Sequence, residues 1–359
     1  MARCEDYDRK NVYDTVRQTI DLIGGLGAFV LPGQQVFLKF NMLEGSTPEK
    51  CVTTHPEVVY AVAKLLKDYG CKVIMGDSPG SGLEYNEGIL REAYSVCGYD
   101  EIAATLDIPL NYDTSYRSIS APESQKMKLF PIITPVLDAD VVVVVSKAKT
   151  HALTYFSGAA KNIFGIVPGT KKKDFHANLP NLDDFCRMII DLNGVIKPKL
   201  QVMDAIMGME GDGPHTGPSR KIGAILASGD YGAIDVATCQ LMSLEPMRVG
   251  TIRAMIERGY LQKDLSDVSI VGEKIKRLIV KDYKLPSTYI EKGKLRPVIN
   301  INRCISCMKC VRSCPVKTID IVNKKPKINY KKCINCYCCH ETCDTHAISL
   351  KGSLAGKRY

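Results

Sequence analysis

The chain has 359 residues, enough for two domains, and its 45% hydrophobic and 24% charged residues are ordinary for a globular protein. Its longest aliphatic run, Val141 to Val145, is closed by Asp140 and Lys147. That is far short of the roughly 18 apolar residues a membrane span needs. The start is acidic at Glu5 and Asp6 where a signal peptide would be basic, so a cytoplasmic protein with no membrane partner is expected. The formal charge of +9 invites a nucleic-acid reading, but much of the excess lies in one stretch: nine Lys or Arg between Pro297 and Leu350 face only Asp320, Glu341 and Asp344. That stretch surrounds a crowd of cysteines. There is no Trp, and no nucleic-acid-binding motif is visible, so no nucleic-acid partner is expected.

Residues 1–290 read as alternating helices and strands. Val12, Val16, Ile20 and Ile23 recur at helical spacing before Gly24-Gly25, and Val36 to Phe40 then reads as a strand. Pro56 opens a helix through Val59, Val62, Ala63 and Leu66 that stops near Gly70, and Lys72 to Met75 is the next strand. The valine run at 141–145 is too uniformly apolar for a half-exposed strand and suits the centre of a parallel sheet. Leu200 to Met203 and Ile222 to Leu226 are further strands. The predicted fold is an α/β domain, a mostly parallel sheet flanked by helices, over residues 1–290.

Polar clusters recur where these strands finish. Lys39 and Asn41 end the first; Asp77 and Ser78 follow the second. Lys147, Lys149, Thr150 and His151 follow the valine run, and Glu210 and Asp212 come after the strand at 200–203. In open α/β sheets ligands bind outside the carboxyl ends of the strands, so these clusters are expected to converge on one cleft. Lys39, Lys147, Lys149 and Lys161, with Asn162, have the chemistry to hold a small anionic ligand. Asp77, Glu210 and Asp212 suit a divalent cation or the hydroxyl and amino groups of an organic cofactor. His151 and Lys149 are the candidate catalytic residues, as proton donors. Gly158, Gly165 and Gly169 would let backbone come close to the ligand, and Lys171-Lys172-Lys173 reads as a solvated loop, the alternative being a run that guides an anion inward. Neither GxGxxG nor a Walker A sequence is present.

Nine of the fifteen cysteines crowd into residues 304–343, within an internal repeat offset by 29 residues. Arg296 to Asn300 leads into Cys304, Cys307, Cys310 and then Cys314-Pro315; Lys325 to Asn329 leads into Cys333, Cys336, Cys339 and then Cys343-Asp344. The spacing C-x2-C-x2-C-x3-C is that of bacterial ferredoxins, in which the fourth cysteine of each run ligates the other cluster. Two [4Fe–4S] clusters are therefore expected, one on Cys304, Cys307, Cys310 and Cys343, the other on Cys333, Cys336, Cys339 and Cys314. With four thiolates each carries about −2, which offsets part of the basic surround. Zinc is the rival metal, but zinc uses CxxC pairs rather than two complete quadruplets. Asp344 stands where the first half has Pro315, and Cys338 is an extra thiol, either a bystander or a substitute ligand. A small α+β ferredoxin-like domain over 291–359 follows, serving an electron donor or acceptor protein.

With KFN at 39–41, TTHP at 53–56, GDSPG at 76–80, SKAKTH at 146–151, SGAAKNIFG at 157–165 and MEGDGP at 209–214, the chain resembles the prokaryotic family catalogued as domain of unknown function 362. The resemblance is to the version of that family with a C-terminal ferredoxin module. The family pattern commonly has Pro where Phe40 stands here. The resemblance implies an α/β domain and a two-cluster tail, and no reaction. The family is in turn distantly similar to the nickel-pincer lactate racemase, which makes an isomerase one alternative; the paired histidines of that centre are not evident, His151 being alone in the candidate cleft. The leading expectation is an iron–sulfur oxidoreductase that works anaerobically, and the other alternative is a non-enzymatic electron carrier or assembly protein.

Overall fold

The computed structural model describes residues 1–80, 82–291 and 295–352. The predicted boundary at 290/291 abuts residues 292–294, and the predicted second domain runs on through 353–359; both stretches lie outside the described residues. The chain starts with β1 (Ala2–Arg3), α1 (Arg9–Asp21), β2 (Gln35–Lys39), α2 (Pro56–Asp68) and β3 (Lys72–Gly76). Asp8 caps α1 by accepting from Asn11 N, and Pro56 opens α2, where its missing N–H costs nothing. Helices α3 (Glu87–Cys97) and α4 (Tyr99–Leu106), the hairpin β4 (Tyr116–Ser120) and β5 (Leu129–Ile133), and α5 (Thr134–Leu137) lead back to β6 (Val141–His151) and its short partner β7 (Tyr155–Phe156). Then come α6 (Gly158–Asn162), α7 (Lys172–Asn178), α8 (Leu182–Ile196), β8 (Leu200–Met209), β9 (Ser219–Ser228), α9 (Tyr231–Leu241), α10 (Gly250–Glu257) and α11 (Ser287–Ile290).

Strand order in the main sheet is β1-β9-β8-β6-β2-β3, with β7 paired to β6. The β3–β2, β2–β6 and β6–β8 pairs are parallel, while β9 turns back antiparallel on β8 and carries β1. The fold is therefore mixed α/β with a mostly parallel central sheet, as expected. The period-two alternation of β6 divides the valine run between layers. Val143 and Val145 pack with α1 and α2, while Val142 and Val144 pack with Phe37, Phe130 and α8. Each fully buried valine contributes about 1.5–3 kcal/mol. Chain order reverses across β2, which has β3 on one side and β6 on the other. Such a switch point opens a crevice at the carboxyl ends of these strands.

Two predicted strands extend further than the hydrophobic pattern showed. β6 continues through Ser146 to His151, buried throughout, and β8 continues through Asp204 to Met209. Polar residues remain in these strands because they pair. Lys147 and Asp204 are register partners across β6–β8, with Nζ 2.8 Å from Asp204 Oδ2. Tyr7 Oη donates to Asp204 Oδ1 and accepts from Lys147 Nζ, and Asp204 also accepts from His55 N. This corrects the reading of Lys147 as a ligand contact: its ammonium is buried and committed to Asp204 and Tyr7.

The ferredoxin-like part repeats itself in backbone as well as sequence. β10 (Leu295–Ile299) pairs with β13 (Ile348–Gly352), and β11 (Ile319–Val322) with β12 (Lys325–Ile328), while α12 (Lys309–Ser313) and α13 (Cys338–Glu341) follow the cysteine loops. Ser306, Met308 and Lys317 have positive φ, and so do Asn335, Tyr337 and His346, each 29 residues later. Left-handed geometry at non-glycine residues costs roughly 1–2 kcal/mol apiece. Its repetition at matched positions marks a demand of the cysteine loops rather than of local sequence.

Truncating Lys147 to Ala should cost about 3–5 kcal/mol in urea unfolding, because Asp204 is left buried without its partner. The double change Lys147→Met/Asp204→Leu should recover most of that. Unchanged stability in Lys147→Ala would return Lys147 to the candidate ligand site.

Candidate functional site

A cavity of about 70 Å³ lies at the switch point, walled by residues that follow β2 and β3, by the end of β6, and by α6 and α7. Its foundation is Lys39, at the end of β2. That side chain is fully buried and sits beneath the cavity wall, with Nζ 2.9 Å from Asp77 Oδ1 and 2.7 Å from Asn162 Oδ1. Asp77 in turn accepts from Met42 N at 2.8 Å and Ser78 N at 2.9 Å. Asn162 donates to Val145 O and Ser146 Oγ. Gly165 completes the joint, since a Cβ there would collide with Asp77 Oδ1 and Lys39 Nζ. The close backbone approach read from the glycines is therefore made, at Gly165, to this ion pair.

Of the residues expected to converge, Asn41, Asp77, Ser78, Lys149, His151, Lys161 and Asn162 line the cavity. Lys147, Thr150, Glu210 and Asp212 do not. Thr150 Oγ1 donates to Met209 O within the sheet. Glu210 Oε2 accepts from Lys284 N, and Asp212 Oδ1 accepts from Ser287 N and Oγ. These two carboxylates fasten residues 284–287 rather than hold a cation. Glu44, His215 and Asp344 do come within 4.8 Å of one another at their ligand atoms. Lys309 already pairs with Asp344 at 2.6 Å, and Lys50 lines the same hollow, so the trio is an ion-paired seam.

Four polar lining residues were not among the candidates read from sequence: Ser157, Lys172, His176 and Glu341. Lys172, placed in a solvated loop from sequence, is buried, its Nζ donating to Ser78 O and Oγ, Pro79 O and Val167 O. Its signal was present: Lys172, Phe175 and His176 share one face of α7 at helical spacing, and all three are buried. Glu341 comes from α13 of the ferredoxin-like part, and no local pattern tied it to a cleft in the other half.

The cavity is cation-rich. Burial pushes Lys149 down to about 7, helped by Lys161 and Lys147, and pushes Lys172 to about 7 against the pull of Asp77. Lys161, half-buried on the cavity wall, is lowered by burial too. His151 lies well below its ordinary value through burial and the charges of Lys161 and Lys149, so the ring is neutral. Its Nδ1 accepts from Leu153 N at 3.1 Å, which assigns the proton to Nε2, facing Glu341 Oε1 at 3.5 Å. His151 is thus a hydrogen-bond donor to the cavity rather than a base. Among the described residues, Asn41 Oδ1, Ser157 Oγ and Glu341 Oε1 are buried with no hydrogen-bond partner. Four ammonium groups (Lys39, Lys149, Lys161, Lys172) meet two carboxylates there, Asp77 and Glu341.

The cysteines gather as two sets. Cys304, Cys307, Cys310 and Cys343 line one cavity, and Cys314 lies close enough to Cys333 and Cys339 to perturb both thiols. Cys314 Sγ also accepts from Thr318 N at 3.3 Å. A cavity walled by thiols with few other polar groups, as the first set makes, fits an iron–sulfur cluster. Cys338 is fully buried and does not line the cavity of the first set. The module is pressed onto the α/β domain: His340 Nε2 lies 3.2 Å from Thr216 Oγ1, and Lys173 Nζ donates to Arg312 O at 3.1 Å.

Sulfate, whose own charge is fixed between pH 6 and 9, should bind the cavity most tightly below pH 7 and lose affinity as pH rises. Lys149 and Lys172, each near 7, then shed their protons. Lys149→Met should weaken binding about tenfold at pH 6.5 and flatten the profile, as read by calorimetric titration. An affinity that rises with pH would contradict the cationic reading.

The family described as Domain of unknown function (DUF362) matches residues 36–240, and a 4Fe-4S dicluster domain matches residues 296–344. A thylakoid-associated protein of Synechocystis sp. is 33% identical over 287 residues, covering 80% of this chain and 87% of the relative. Among solved structures, the lactate racemase apoprotein from Thermoanaerobacterium thermosaccharolyticum is 14% identical with a TM-score of 0.41, covering 67% of this chain and 56% of that one. A protein from Thermotoga maritima is 11% identical with a TM-score of 0.36, covering 61% and 55%. The chain thus spans little more than half of either structure, and neither likeness bears on chemistry. Among the described residues, no helix is long and apolar enough to cross a membrane. The C-terminal part is an iron–sulfur module of the 4Fe–4S ferredoxin kind, suited to electron transfer, and the chain belongs to the domain of unknown function 362 family.

Proposed function

We propose that this protein is an iron–sulfur oxidoreductase whose ferredoxin-like module serves a small anion held in the α/β cavity. The observation that carries the reading is the position of α13, which bears Cys339 of the second cysteine loop and, two residues later, Glu341 of the cavity wall. Two residues span at most about 7.6 Å between Cα atoms. Ligand and metal are therefore held by one short helix.

Two [4Fe–4S] clusters would be held crosswise, by Cys304, Cys307, Cys310 and Cys343 and by Cys333, Cys336, Cys339 and Cys314. Bound there, such clusters supply one-electron exchange at potentials set by charge, hydrogen bonds and exposure. The chain's own residues do the rest. Lys149 and Lys161 neutralise the anion, and Ser157 and the Nε2–H of His151 offer it donors. Asn41 Oδ1 and Glu341 accept from its hydroxyl or amino hydrogens. Lys149 and Lys172, both close to 7, are able to give up a proton near neutrality. The cavity, about 70 Å³, suits a small ligand. Exposure of Cys307 makes the first cluster sensitive to oxygen, in keeping with anaerobic work, and the cytoplasmic location read from sequence belongs to the same proposal.

Anaerobically prepared protein should contain about eight irons and eight acid-labile sulfides per chain, bleached by dithionite. Cys314→Ala should remove the cluster of Cys333, Cys336 and Cys339 and leave about four irons. Zinc without labile sulfide would end the proposal. Loss of the other cluster would overturn the crossed pairing alone.

A further inference from the structure

The two cysteine loops face different surroundings. The second packs toward the cavity, whose wall includes Glu341, two residues after Cys339 on α13. The first faces outward. Cys307 alone of the eight run cysteines is exposed, and its neighbour Ile305, 68% exposed, is the most exposed large hydrophobic side chain among the described residues. Ile305 also lines the cavity formed by Cys304, Cys307, Cys310 and Cys343, so it is the apolar cover over that set. Leaving such a side chain in water forgoes the gain of burial. A functional surface accounts for it better than folding does.

The cover is not isolated. Lys325 Nζ donates to Cys304 O at 2.6 Å, which sets the β11–β12 hairpin against the first loop. Pro326 of that hairpin lines the same cavity as Ile305, and its register partner Ile321 is 56% exposed. Arg303, next to Cys304, and Lys324 and Lys327 of the same hairpin are exposed, with Asp320 the register partner of Lys327. Across residues 295–352 nine Lys or Arg are exposed against two exposed acids, and one of those, Asp344, is already paired to Lys309. Two anionic clusters would offset about four of these charges, and the face stays basic. An apolar centre in a predominantly basic surround is the form of a transient redox interface, with the charge steering the encounter.

We infer that this face, centred on Ile305, docks an acidic one-electron carrier protein, of the flavin- or iron–sulfur-bearing class, and that the first cysteine set is where electrons enter. One electron leaves the reduced carrier, which is oxidised by one, and one enters the module. The second set, against the cavity, lies on the far side of the route. The inference rests on the electron-transfer reading above and adds its partner and its polarity.

The test uses full-length, iron-loaded protein titrated calorimetrically with flavodoxin, an acidic FMN protein, at 25 and 250 mM salt. Binding should weaken by about tenfold or more at the higher salt. Lys324→Glu/Lys327→Glu should weaken it to a similar extent, and Ile305→Glu should abolish it. Lys276→Glu, exposed on the α/β domain, should leave it unchanged. The lysine pair keeps the test valid if Ile305→Glu disturbs the adjacent ligands. Salt-independent binding, equal binding of basic cytochrome c, or binding of anionic phospholipid vesicles without flavodoxin would each overturn the inference. Iron and sulfide assayed on the same samples separate the outcomes: a full complement with no flavodoxin binding sinks the docking face alone, whereas missing iron sinks the electron-transfer reading beneath it.

Discussion

Taking ammonium groups out of water is among the most expensive things a fold can do, and this one does it repeatedly at a single sheet rim. Lys39, Lys147, Lys149 and Lys172 are all buried there. Lys39 and Lys147 each have a carboxylate at hydrogen-bond distance, Asp77 and Asp204. Lys149 donates to Val52 O, and Lys172 is dressed by backbone carbonyls and Ser78. Those requirements fix the loops after β2 and β3, the position of α6 through Asn162, and the glycine at 165. Where pairing is complete the lysine is a strut. Where it is incomplete the site is short of negative charge, and a ligand can supply it.

The ferredoxin-like module adds an acid to this basic rim. Glu341 is buried between two elements that fold far apart in sequence, and it shares α13 with a cysteine of the second loop. Asp344, where the first half of the repeat has Pro315, gives up a fixed φ and gains an ion pair with Lys309 beside His215 and Glu44. The second half of the repeat thus departs from the first at residues that face the α/β domain. The first half keeps its apolar loop toward solvent. An approximately two-fold module is in this way given an inside and an outside.

Much of this was legible in the sequence. The valine run announced the central strand because a strand buried on both faces has no alternation to hide. The cysteine runs announced their loops because three ligands on one cube demand a fixed spacing. Placing ligand residues at strand ends located Asn41, Asp77, Lys149 and His151 correctly on the cavity wall. The same rule failed for Lys147, because β6 does not stop where its apolar run stops: a paired lysine and aspartate are as good as two valines for continuing a strand. It failed for Glu210 and Asp212 because their partners, at 284 and 287, lie some 75 residues on, at no recognisable spacing. Lys172 hid among three consecutive lysines until its helical neighbours were counted. Glu341 was beyond reach, since nothing in a cysteine loop says which cleft it will close.

Cavity and module are joined through α13, so each should act on the other. An EPR-monitored redox titration with and without saturating sulfate reads that coupling. An anion seated beside the second cysteine set should make reduction harder and lower that cluster's midpoint potential, while the first cluster moves less. By reciprocity, reduction should weaken sulfate binding by the same factor. Both effects should shrink in Lys161→Met. Midpoint potentials unchanged by sulfate, in protein shown to bind it, would mean that cavity and clusters are not coupled.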